Sequence, residues 1–111
     1  MFGKGAYFTD MVINSADYCH YSLSNNIGLM ILAEVALGET NDLLHADYNA
    51  DQLPDGKNST KGLGSFGPNT NNFLKHGDAL VPMGPGEKKP DIRGSLRYNE
   101  YIVYDVNQVK M

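Results

Sequence analysis

A chain of 111 residues suffices for one small domain or part of a larger one, and 41% hydrophobic with 20% charged residues is folding material rather than a disordered tail. A net charge of −4 argues against a general nucleic-acid clamp, because acidic residues and prolines interrupt Lys57, Lys61, Lys88 and Lys89. The single cysteine, Cys19, cannot form an internal disulfide, which fits a reducing compartment, and it reads as core filler. His20, His45 and His76 are too scattered for a metal-ligand set. No signal peptide is evident. The longest apolar run, Ile27–Leu37, contains Glu34 and is too short to cross a bilayer.

Met1–Gly5 is a glycine-punctuated opening suited to close backbone approach, and Ala6-Tyr7-Phe8 is a short extended segment. Thr9 or Asp10 can cap a helix over Met11–Tyr21. On that helix Val12, Ala16 and Cys19 form an apolar row, with Met11, Ser15, Tyr18 and Ser22 beside it. Ser15 and Tyr18, three apart, would lie side by side. A hydroxyl next to a phenol ring can hold a flat polar ring by hydrogen bond and stacking. Periodicity alone favours the plainer alternative, a serine tolerated beside a core tyrosine.

Ser24-Asn25-Asn26 makes a turn, after which Ile27–Leu37 is expected as a buried central strand ending at Gly38. A buried helix competes, weakened by Gly28. Glu34, among apolar neighbours, is a rival carboxylate expected to be paired. From Glu39 to Arg97 glycine and proline predict long loops, with a helical turn or two in Asn41–Leu53. Short strands are expected at Ala79-Leu80-Val81 and in the segment into Tyr98. Gly62-Leu63-Gly64-Ser65-Phe66-Gly67 formally matches G-x-G-x-x-G. A dinucleotide fold needs a strand before it and a helix after it, whereas a polar turn and Pro68-Asn69 flank it here. Tyr98–Asp105 is expected as one strand, with Tyr98, Glu100, Ile102 and Tyr104 on one face. Glu100 either points to solvent at a strand end or serves at the mouth of a cleft. The stretch alone favours solvent.

Five segments in register carry a resemblance across the whole chain. They are Gly3-Lys4-Gly5-Ala6-Tyr7-Phe8, Ser15-Ala16-Asp17-Tyr18-Cys19, Glu34-Val35-Ala36-Leu37-Gly38, Ser59-Thr60-Lys61-Gly62-Leu63-Gly64 and Tyr98-Asn99-Glu100-Tyr101-Ile102-Val103-Tyr104. Together they resemble the catalytic domain of the poly(ADP-ribose) polymerases, in the branch activated by DNA breaks. The resemblance implies an α+β, ADP-ribosyltransferase fold: two packed antiparallel-rich sheets with a helix beside the NAD cleft. Residues 1–111 would be the C-terminal part of that catalytic domain, incomplete at both ends.

The implied activity is transfer of ADP-ribose from NAD+ to protein acceptors, the enzyme itself included, with release of nicotinamide. NAD+ is the substrate and no metal is implied. A nuclear location and a DNA-damage role are implied, with no membrane contact and with DNA reached only through domains absent from this chain. Tyr7 and Tyr18 match the tyrosine pair around the nicotinamide ring, and Ser15 matches the hydroxyl on its carboxamide. Gly5 and Phe8 belong to the same NAD-binding segment, and Glu100 matches the catalytic glutamate. Glycosidic cleavage builds positive charge on the ribose, so a fixed anion there lowers the barrier.

Departures from the family pattern accompany the matches. The family's upstream His-Gly pair and its final strand fall outside this chain, and Asn14 stands where the branch usually has lysine, which puts chain elongation in question. The 111 residues alone are therefore expected to be inactive or nearly so. A non-catalytic NAD- or ADP-ribose-binding module and a truncated relic are the alternatives.

Overall fold

The computed structural model describes residues 1–16, 18 and 28–110. The chain opens with β1 (Ala6–Phe8) and α1 (Val12–Ala16), followed by β2 (Glu34–Val35), β3 (Thr40–Leu43), β4 (Ser59–Gly62) and β5 (Gly64–Pro68). After a 3-10 turn at Thr70–Asn72 come β6 (Leu74–His76), β7 (Ala79–Val81), β8 (Gly86–Lys88), β9 (Leu96–Tyr98) and β10 (Glu100–Val103). A second 3-10 turn, Val106–Gln108, leads into β11 (Val109–Lys110). Asp105 caps that turn by accepting from the Asn107 amide at 2.9 Å.

Four strands form the main sheet in the order β1-β10-β4-β3, and β8-β5-β9 form a second. Two-stranded pairs, β6-β7 and β2-β11, complete the described structure. The β3–β4 and β5–β9 pairings are parallel and the other five antiparallel. This is a small sheet-rich fold with one helix among the described residues, compatible with an ADP-ribosyltransferase fold. The extended segments expected at Ala6–Phe8, at Ala79–Val81 and leading into Tyr98 are strands β1, β7 and β9.

β10 is central because its β-branched residues suit a strand flanked on both sides. Ile102 and Val103 are fully enclosed between β1 and β4. Phe2, Ala50 and Leu96 join Ile102 in the core, with Leu43 and Tyr104 packed against it. Ser59 and Thr60 are buried in the same region, and their hydroxyls are satisfied. Ser59 donates to the Leu37 carbonyl at 2.8 Å, and the Tyr104 hydroxyl lies 2.9 Å from Thr60 Oγ1.

Three expectations are corrected. Tyr98–Asp105 is two strands, because the chain changes sheets at Asn99, and β4 changes to β5 at Leu63 beside it. Asn99 supplies what a ladder would have supplied: its Oδ1 accepts from the Gly64 amide at 2.9 Å. The turns expected in Asn41–Leu53 occur late in it, where the Ala50 amide donates to the Asp47 carbonyl and the Gln52 amide to the Asn49 carbonyl, and none begins at Asn41. That residue lies in β3, drawn into a parallel ladder with β4 that pairs Asn41 with Thr60.

Thirdly, the apolar run before Gly38 is not a buried strand. Leu29, Ile31 and Leu32 are 86%, 75% and 91% exposed, and only Glu34–Val35 pair, with β11. Burial requires an opposing layer, and none covers this run among the described residues. Glu34, expected to be paired, is an exposed residue of that short strand. The expected helix to Tyr21 is described as far as Ala16; residues 17 and 19–27, with Cys19, His20, Ser22 and the 24–26 turn, lie outside the described residues.

The glycine run is structural, as its flanks implied. Gly62 ends β4 and Gly64 begins β5, and no α-helix follows it. A Cβ on Gly64 would overlap the backbone of Tyr98 and Asn99, and one on Gly62 would overlap Leu96 and the Phe2 ring. Gly64 lets a second stretch of backbone approach, and Gly62 leaves room for two core side chains.

Candidate active site

Glu100 is the first residue of β10, and alternation places it on the same face as Ile102, the core face. Register puts Gly62 opposite it on β4, and Tyr7 opposite Ile102 on β1. Tyr7 and Glu100 are thus diagonal neighbours on one face of one sheet. The Glu100 carboxylate is partly buried. That burial raises its pKa above the ordinary glutamate range, with the amino-terminal charge pulling the other way. No hydrogen-bond donor or ion-pair partner for it occurs among the described residues. It is a half-dry acceptor with open lone pairs, suited to receive a hydroxyl proton or to face developing positive charge.

Tyr7 is held by its own turn. Its hydroxyl accepts from the Phe2 amide at 2.9 Å and donates to the Gly3 carbonyl at 2.6 Å, while Gly3 takes φ +81°. The phenol is pinned, yet the residue is 42% exposed, leaving part of it available to a ligand.

Ser15 lies in α1, and the Tyr18 amide donates to the Ser15 carbonyl at 3.1 Å. The two residues therefore sit within one turn, with Tyr18 beyond the end of α1. Tyr18 is 68% exposed. Only Thr9, Asp10 and Met11 separate β1 from α1, so Tyr7 and Ser15 are close along the chain.

Gly5 packs against Ile102 and Tyr104, whereas Phe8 falls elsewhere. Phe8 pairs with Tyr101, which places it on the face opposite Glu100 and Tyr7. With Gly5 it lines a hollow of about 550 Å³, whose walls include Val103, Tyr104 and Val106. The structure thus brings Tyr7 and Glu100 to one face and separates Phe8 from them.

One feature was not singled out from sequence. Asp10, named only as one of two helix caps, turns instead toward β10. It accepts from the Tyr101 hydroxyl at 2.7 Å and from Asn99 Nδ2 at 3.0 Å. Thr9 is the weak cap, with its Oγ1 3.4 Å from the Met11 amide. The available signal was the amide and phenol flanking Glu100 in Asn99-Glu100-Tyr101.

No cluster of three or more His, Cys, Asp or Glu side chains suited to a metal ion occurs among the described residues. No helix among them is long and apolar enough to cross a membrane.

The family model for the poly(ADP-ribose) polymerase catalytic domain matches residues 1–111. The chain is 54% identical over 112 residues to poly [ADP-ribose] polymerase 2-B of Oryza sativa subsp. japonica, covering 100% of this chain and 18% of that protein. It is 50% identical over 115 residues to poly [ADP-ribose] polymerase 2 of Homo sapiens, covering 100% and 20%. Against poly [ADP-ribose] polymerase 1 of Arabidopsis thaliana it is 51% identical over 112 residues, covering 100% and 11%. The chain spans about a fifth or less of the length of these curated relatives. With the family model matched from Met1 to Met111, the chain belongs to the poly(ADP-ribose) polymerase catalytic domain family.

Proposed function

We propose that this chain supplies the catalytic carboxylate and the nicotinamide-holding side of an NAD+ ADP-ribosyltransferase that modifies protein acceptors, itself among them, and builds polymer. One observation carries the reading: Glu100, at the start of a buried strand, is partly desolvated and has no partner among the described residues. The family match from end to end supports the same assignment.

In this reading Tyr7 and Tyr18 flank the nicotinamide ring and the Ser15 hydroxyl bonds its carboxamide, fixing one geometry for departure. Glu100, ionised, accepts from a ribose hydroxyl, faces the charge that develops on the sugar carbon and orients the incoming hydroxyl. Gly5 belongs with the backbone that approaches the substrate. Phe8 contributes by packing behind β1 rather than by contact with the ring, because it lies on the other face. The architecture proposed is the ADP-ribosyltransferase one, with α1 beside the NAD cleft and the other wall of the cleft supplied by further chain. A nuclear, DNA-damage role belongs to the same proposal, with DNA contacted by other domains.

The test is Glu100→Gln in the full-length protein. Polymer formation should fall at least about a hundredfold, while NAD+ affinity stays within about threefold. Loss of both together would give Glu100 a structural role and overturn the reading.

A further inference from the structure

The residues on both sides of Glu100 converge on one carboxylate that the proposed chemistry does not use. Asp10 Oδ2 receives two donors, the Tyr101 hydroxyl at 2.7 Å and Asn99 Nδ2 at 3.0 Å. Asn99 is tied twice more. Its Oδ1 accepts from the Gly64 amide at 2.9 Å, and its carbonyl accepts from Thr9 Oγ1 at 2.9 Å. Asp10 Oδ1, by contrast, is buried with no donor among the described residues.

A buried acceptor left unsatisfied costs free energy, so this arrangement calls for an offsetting gain. Glu100 begins β10 at the point where the chain leaves one sheet for another, and the regular ladder lapses there. Without side-chain ties the carboxylate would ride on a loosely held strand end. Tyr101 is kept protonated and so remains a donor. Burial, then the charge of Asp10 and its hydrogen bond, hold the phenol far above its ordinary range. Asp10 itself lies in the three-residue link between β1, which carries Tyr7, and α1, which carries Ser15.

We infer that Asp10 is a positioning residue: by clamping Asn99 and Tyr101 it sets Glu100 at a fixed place relative to Tyr7 and Ser15, without touching substrate itself. The inference rests on the proposed role of Glu100. It follows that the operative property of Asp10 is its acceptor geometry rather than its charge. Displacement of a catalytic group by about 1 Å can reduce turnover about a hundredfold, so loss of the clamp should appear in kcat.

The test compares Asp10→Asn, Asp10→Ala and Tyr101→Phe in the full-length protein, with kcat and KM for NAD+ measured beside the melting temperature and Glu100→Gln as reference. Asp10→Asn keeps an oxygen that can accept from both donors and should retain kcat within about fivefold. Asp10→Ala should lose about thirtyfold or more, and Tyr101→Phe, which removes one tie and keeps the ring, about five- to tenfold. KM for NAD+ should stay within about threefold throughout.

A purely structural Asp10 would instead lower the melting temperature and leave the kcat of the folded fraction unchanged. Turnover within about twofold of the parent for both Asp10→Ala and Tyr101→Phe would overturn the inference, as would equal losses in Asp10→Asn and Asp10→Ala. Should Asp10→Ala fail to fold, Tyr101→Phe within about twofold of the parent, or a loss in Asp10→Asn as large as in Tyr101→Phe, would overturn the inference. If Glu100→Gln retains turnover, the role of Glu100 has failed and the clamp with it. If Glu100→Gln is inactive while the other variants turn over normally, only the clamp has failed.

Discussion

Glu100 shares its sheet face with a fully enclosed isoleucine, and the partial burial that results disfavours its charged form. Its folded-state pKa is therefore raised above the unfolded one, and the sign of the pH effect follows. The favourable contribution of such a group is fully present below the unfolded pKa and is lost as pH rises through the folded one. At neutral pH the ionised carboxylate is a cost to the fold, retained for what it does. Glu100→Gln should thus melt higher than the parent at about pH 8, the gap closing as the pH falls and vanishing below about pH 4. A lower melting point for the variant at the alkaline end would show that donors hold the carboxylate, contrary to its burial. Asp10 is the complementary case, since its neighbours supply donors that Glu100 lacks among the described residues.

At the level of elements, the site depends on two strand pairs changing sheets side by side, β4 to β5 at Leu63 and β9 to β10 at Asn99. The crossing is tight because Gly64 lies against the backbone of Tyr98 and Asn99, with no room for a Cβ. Backbone cannot move aside as a flexible side chain can. Gly64→Ala should therefore cost about 1–3 kcal/mol, measured by denaturant unfolding, and it should displace the Asn99 amide contact as well. An unchanged midpoint would mean that the crossing is looser than described. The same contact explains why a glycine pattern that formally resembles a phosphate-binding loop has no such use here. Its glycines are taken up by chain packing on both sides.

At the scale of the whole molecule, Leu29, Ile31 and Leu32 form an exposed apolar run next to the short β2–β11 pair. Contiguous exposed apolar residues beside free strand edges favour association. The 111-residue chain should self-associate with rising concentration in sedimentation velocity. Ile31→Lys should weaken that association at least about fivefold, with little effect on melting because the side chain is already exposed. Equal sedimentation of the two proteins would remove this run as the cause.

Local structure around the candidate site was legible from residue type and spacing, whereas the site residues themselves were reached through the family resemblance. Ser15 and Tyr18 three apart gave one turn, Ala6-Tyr7-Phe8 gave a strand, and the flanks of Gly62–Gly67 excluded a dinucleotide loop. These are local properties, fixed by backbone period and turn chemistry, and they do not depend on distant chain. The ordering of the five segments likewise identified the family, because it is a property of the sequence alone. Only tertiary structure decided the rest. The break at Asn99, the parallel strand at Asn41 and the exposure of Leu29–Leu32 depend on which strands find partners. Those partners lie tens of residues away, and residue pattern does not encode the pairing. The convergence of Asp10, Asn99 and Tyr101 arises the same way: the partners are 89 and 91 residues apart, and only folding brings the acceptor to its donors.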